Sequence, residues 1–154
     1  MLPTGGAGKG GDLFGEPLQL QHVAKLAVHV FYHRHVGAAA DAFIAKDRAD
    51  AQVLEALGVL QSHGLVRPAL LDRLQSSADF KVRAYATRVI GEWAAQLPDA
   101  QARLAKAVVD SHPRVRLEAV VALSHVGGQA SLRTALGAVG QTTDKFLDYA
   151  LKQT

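Results

Sequence analysis

Two stretches of the chain repeat each other at a fixed distance, and that distance limits the fold more than any single residue. Asp79-Phe-Lys-Val-Arg-Ala-Tyr-Ala-Thr-Arg-Val-Ile90 lines up with His112-Pro-Arg-Val-Arg-Leu-Glu-Ala-Val-Val-Ala-Leu123, placing Val82-Arg83 on Val115-Arg116 and Ala86 on Ala119 at an offset of 33. Leu71 and Leu104 keep the same offset in the shorter segment that precedes each. Thirty-one residues on, Phe146 and Ala150 take the places of Val115 and Ala119, with Leu147 where the arginine would be; Val53 and Leu57 match Val82 and Ala86 at 29. A period in this range marks a stacked array of supersecondary units, none of which buries its apolar faces alone. The unit is about 30 residues long and occurs about four times.

The composition says what the unit is made of. The apolar residues are 27 Ala, 20 Leu and 16 Val against 2 Ile, 1 Met and 1 Trp, a list that favours closely approaching helices over sheets. The fold class expected is all-α, an array of antiparallel helical hairpins. Residues 1–17 read as a flexible Gly-rich leader, and residues 18–152 as one domain. Leu20, Val23, Ala27, Val30 and Phe31 make one stripe of a leading helix over 18–33, and Val36, Ala39, Ala40, Phe43 and Ile44 make a second stripe in the next helix. Hairpins follow at about 36–62, 66–95, 99–126 and 129–152. Asp50 reads as an N-cap, Gly64 as a C-cap glycine and Pro68 as a first-turn proline; Leu97-Pro98, His112-Pro113 and Gly127-Gly128 mark further turns.

The Asp/Pro, Val-Arg and small-residue pattern of Asp79 to Gly91 and Asp110 to Val126 resembles the second helix of HEAT repeats, and the likeness extends more loosely over about 36–152. The resemblance implies a right-handed, armadillo-like α-solenoid whose second helices line the concave side. It also implies structural roles for Asp79, Val82, Arg83, Ala86, Asp110, Pro113, Val115, Arg116 and Ala119, with the two arginines bridging to acids or carbonyls of neighbouring turns. A fainter resemblance links Leu20 to His35 and its continuation to the HEAT arm of large exported bacterial proteins that join a propeller-type dehydrogenase module to a c-type haem module. This chain contains no cysteine, so it has no Cys-x-x-Cys-His haem motif, and the activity of those modules does not transfer.

Candidate chemistry is sparse. His29 and His33 stand four apart and His22 seven before His29, so a metal-binding first helix is one reading; the His-Glu-x-x-His motif and the His-Glu dipeptides of iron-holding HEAT-like hydroxylases are both missing. Gly5-Gly-Ala-Gly-Lys-Gly10 has the wrong spacing for a phosphate loop, and Lys9 is followed by Gly10. Lys81, Arg83, Arg88, Arg103, Lys106, Arg114 and Arg116 suggest a basic stripe like that of HEAT-like DNA glycosylases. Asp79, Glu92, Asp99 and Asp110 interrupt it, and Trp93 follows the core stripe of Val82, Ala86, Val89 and Ile90. No nucleophile motif joins a serine, a histidine and an acid, and His112 reads as a cap before Pro113.

The function expected is therefore a non-catalytic scaffold for protein–protein interaction, without a cofactor, or a fragment of a larger multidomain protein. The residues expected to meet the partner, as exposed positions of the second helices, are Lys81, Tyr85, Arg88, Arg114, Glu118 and Val121. A nucleic-acid-binding basic face and a metal site on the first helix are the alternatives. Self-association through the solenoid ends is expected from Phe146, Tyr149 and Leu151, which close one end without a polar cap. No uncharged apolar run reaches the roughly 18 residues of a membrane span, and the start lacks the apolar core of a secretory signal. The expected location is the cytoplasm, or outside it for a fragment of an exported parent.

Overall fold

The computed structural model describes residues 17–46, 48–141 and 144–154, with side chains from Lys25 onward. The glycine-rich start, with its phosphate-loop-like string, lies outside the described residues. Among those described, the chain forms α1 (Pro17–Ile44), α2 (Asp50–Ser62), α3 (Pro68–Gln75), α4 (Phe80–Glu92), α5 (Ala100–Val108), α6 (Pro113–Val126), α7 (Gly128–Ala135) and α8 (Lys145–Gln153), and no strand. Short 3-10 turns at Ala94–Gln96 and Leu136–Ala138 directly follow α4 and α7.

The helices stack as an α-solenoid. The second helices form one row, in which α2 packs on α4, α4 on α6 and α6 on α8; α3, α5 and α7 pack against that row from the other side. Leu57, Leu60, Leu71, Leu74, Ile90, Leu104, Leu123 and Leu147 are fully buried and make one continuous core with the alanines between them. Each such side chain contributes roughly 1.5–3 kcal/mol by leaving water. The alanines set the spacing: Ala86 and Ala119 are completely buried at the α4–α6 contact side of the core. Gly91 goes further, since a Cβ there would lie 2.5 Å from the Cβ of Ala122. The two helices approach more closely at that level than side chains on both would allow.

Local chemistry fixes where the helices start and stop. Asp79 caps α4 by accepting from the Lys81 amide at 2.8 Å, and His112 caps α6 by accepting from the Arg114 amide at 3.1 Å through Nδ1. Asp144 caps α8, accepting from the Phe146 and Leu147 amides. At the end of α2, Gly64 at φ +64° allows its own amide to reach the Gln61 carbonyl and the Leu65 amide to reach that of Leu60, the paired bonds of a Schellman motif. Pro68 and Pro113 occupy first turns, where a missing N–H costs nothing.

Three expectations need correction. Asp50 is not an N-cap: Ala49 holds that position, and Asp50 sits in the first turn of α2, where it accepts from Arg73 Nε at 3.1 Å. The break expected between 33 and 36 is absent, because α1 runs unbroken from Pro17 to Ile44. The two apolar stripes lie on nearly opposite sides of one helix at 3.6 residues per turn, so a change of stripe imitates a change of helix. The second stripe meets α2, with Val36, Ala39, Ala40 and Phe43 beside Ala56 and Val59, whereas Leu26, Val28, Val30 and Phe31 are exposed. The register of the last repeat also moves by one residue. Leu147, not Phe146, occupies the buried position of Val82 and Val115, and Phe146 is 59% exposed.

Candidate functional site

The arginines of the repeat motif turn inward. Arg83 donates from Nε and Nη2 to the two carboxylate oxygens of Asp110 at 2.8 and 2.9 Å, and from Nη1 to the Ser77 and Ala78 carbonyls. Arg116 donates from Nη1 to the Asp110 and Ser111 carbonyls at 2.7 and 3.1 Å. Both therefore tie a second helix to the loop before it, as the repeat resemblance implies. Burial alone would raise the Asp110 pKa; the bonds from Arg83 and the His112 amide, with the Arg83 charge, outweigh it and hold the carboxyl below its ordinary range. Arg103 is also buried, donating to Asp72 at 2.6 Å and Asp99 at 2.9 Å.

This inward turn divides the basic stripe expected from the sequence. Arg83, Arg103 and Arg116 serve the stack, while Lys81, Arg88 and Arg114 reach the surface together. They converge in a groove between α4 and α6 lined by Lys81, Ala84, Tyr85, Arg88, Arg114 and Glu118, with a volume of about 240 Å³. Val121 continues the groove past Gly91 and Glu92 toward His125. Lys81, Arg88, Arg114 and Val121 are exposed as expected, but Tyr85 and Glu118 are not: the structure sets both in the groove wall, and the Glu118 side chain is only 13% exposed. Its carboxylate is held by Arg114 at 2.7 Å.

Tyr85 is fixed from both sides. Its hydroxyl donates to Gln61 Oε1 of α2 at 2.7 Å, and the Arg88 guanidinium lies 4.8 Å above its ring. Gln61 in turn donates to Glu92, and Arg88 pairs with Glu92 at 3.6 Å. Sequence reasoning missed Gln61 and read Glu92 only as a break in the basic stripe, because the bond between them depends on α2 lying beside α4. The groove thus offers an aromatic floor, two arginines engaged in i, i+4 pairs, and Lys81, which has no ion pair among the described residues. The Arg88–Glu92 pair is exposed on both sides and worth only about 0.3–0.5 kcal/mol, so the Arg88 guanidinium can exchange partners cheaply.

Of the histidines read as a metal site on the first helix, His29 and His33 lie side by side. The His22 side chain lies outside the described residues. His29 and His33 have ring centroids 4.0 Å apart, and His33 meets His63 at the end of α2 at 5.8 Å. Burial, and then the proximity of His29 and His63, lower the His33 pKa. Among the described residues, no group of three His, Asp or Glu side chains is arranged to hold a metal ion. Trp93 is buried in the core and offers no stacking surface. No described helix is long and apolar enough to cross a membrane.

The family model for HEAT repeats matches residues 67–153, the part of the chain that contains the groove. No curated protein and no solved structure matches the chain.

Proposed function

Because the chain belongs to the HEAT-repeat family, in which the stacked surface commonly serves protein interaction, we propose that it is a non-catalytic scaffold that binds a protein partner in the groove between α4 and α6. One observation carries this reading: the three exposed basic residues of the second helices, Lys81, Arg88 and Arg114, converge with Tyr85 and Glu118 in a single groove that Val121 continues, whereas Lys106 lies apart on α5. Its two adjoining parts, of about 240 and 330 Å³, give room for side chains of a partner. The mixture of charge also favours protein over nucleic acid. A duplex needs a continuous positive surface, and here Glu92 and Glu118 stand beside Arg88 and Arg114.

Replacing Arg88→Glu and Arg114→Glu together tests the reading. Both side chains are more than half exposed, so the cost to folding is expected to stay within about 1 kcal/mol for each site. Partners retained by the wild-type chain in a pull-down are expected to be lost from the double variant, with its helical circular dichroism and melting curve nearly unchanged. An unchanged set of partners removes the groove as the binding face.

A further inference from the structure

The N-caps Asp79, His112 and Asp144 begin α4, α6 and α8 in the same way. Two residues after each cap stand Lys81, Arg114 and Phe146, all exposed; one residue later come Val82, Val115 and Leu147, all buried. The exposed residues form a row that crosses the helices in the order cation, cation, aromatic, with about 8–10 Å between neighbouring helices. Phe146 and Tyr149 face Leu117 and Val121 of α6 across a second cavity of about 280 Å³. Tyr149 is 67% exposed, and Val121 borders both this cavity and the groove between α4 and α6. An apolar subsite therefore adjoins the cationic one, with α6 as the ridge between them.

Resting on the α4/α6 groove as the partner-binding face, we propose that the partner presents an extended segment that crosses α6 and carries an Asp or Glu side chain three residues from a large apolar one. The carboxylate lies among Lys81, Arg88 and Arg114, three cations against the carboxylates of Glu118 and, beside Arg88, Glu92. The apolar side chain enters between α6 and the pair Phe146 and Tyr149. The spacing follows from the helices. A polyproline II segment repeats its side-chain direction every three residues, a rise of about 9 Å, which is one helix spacing. A β-strand returns to the same face after about 7 or 13 Å and matches neither neighbour.

Selection of a random peptide library displayed on phage against the full chain tests this, followed by fluorescence anisotropy with a labelled peptide from the enriched set. The enriched peptides are expected to carry Asp or Glu three positions from Leu, Phe, Trp or Met. Their binding is expected to weaken at least tenfold with Arg88→Glu/Arg114→Glu and, separately, with Phe146→Ala/Tyr149→Ala. Both aromatics are exposed, so these changes spare the core, and Phe146→Gln alone repeats the test with a side chain closer in size. Peptides that depend on the arginines and are indifferent to Phe146 and Tyr149 overturn the two-subsite proposal and leave the groove reading standing. Enriched peptides indifferent to the arginines, or no enrichment at all, overturn both.

Discussion

Arg83 finds its carboxylate 27 residues away, and the pair joins the start of α4 to the loop between α5 and α6 in the next repeat. The two side chains are 14% and 15% exposed, so the interaction is screened less than a surface pair. Arg83→Met is expected to lower stability by about 2–3 kcal/mol in urea unfolding, reduced from the ~3–5 kcal/mol of a fully buried pair for the exposure that remains. The folded Asp110 pKa is depressed, so this contribution is complete above the ordinary carboxylate value of about 3.9 and is lost as pH falls through the lower folded value. Asp110→Asn should therefore be less stable at pH 7, and the gap should narrow on acidification. Gly91→Ala sets two effects of opposite sign against each other. Helix propensity favours alanine by up to about 1 kcal/mol, whereas its Cβ would meet that of Ala122 at 2.5 Å, an overpacking that costs about 1–3 kcal/mol. A net loss of about 1 kcal/mol is expected by thermal unfolding, and a gain would show that α4 and α6 separate freely. Neither interaction has a local signal in the sequence. The resemblance of the Val-Arg pattern to HEAT repeats implies a structural role for Arg83, but which acid it meets is decided only when one repeat is laid on the next.

At the scale of elements, what was legible is what depends on near neighbours. Asp79, His112, Pro68, Pro113 and Gly64 mark helix ends by chemistry within a few residues, and the structure uses each of them at a helix end. What was not legible depends on rotation about a helix axis. In α1 two stripes on opposite sides mimic two helices, and in α8 an aromatic residue beside a buried leucine was taken for the core position. The junction of α1 with the end of α2 has a pH response of its own. His33 meets His29 and His63, and Tyr32 packs edge-on against His63 at 5.4 Å. With its folded pKa lowered, His33 favours the neutral form; the stability this gives is present above the ordinary value of 6.5 and is lost as pH falls through the folded value. Amide-exchange protection factors around residues 30–36 are expected to be lower at pH 5 than at pH 7.5, while those of α4 and α6 stay level. Equal protection at both values would show that His33 does not couple α1 to α2.

For the whole molecule, the stack divides its charged residues between two tasks. Arg73, Arg83 and Arg103 join helices or loops of different repeats, whereas Arg88 and Arg114 pair along their own helices and keep their guanidinium groups in the groove. Of the proposed site, the exposure of Lys81, Arg88, Arg114 and Val121 was legible because repeat register determines which side of each second helix a residue occupies, whereas the half-buried setting of Tyr85 and Glu118 was not. The contributions of Gln61, Glu92, Phe146 and Tyr149 were not, since they arise from neighbouring helices in the row. Site-specific photo-crosslinking tests the central claim most directly, with a benzophenone amino acid placed at Val121 in the groove or at Leu132, an exposed position of α7. The partner is expected to crosslink from position 121, to be lost when Arg88→Glu and Arg114→Glu are added, and to be missing from position 132. Equal crosslinking from position 132, or crosslinking from 121 that survives both charge reversals, would contradict the account.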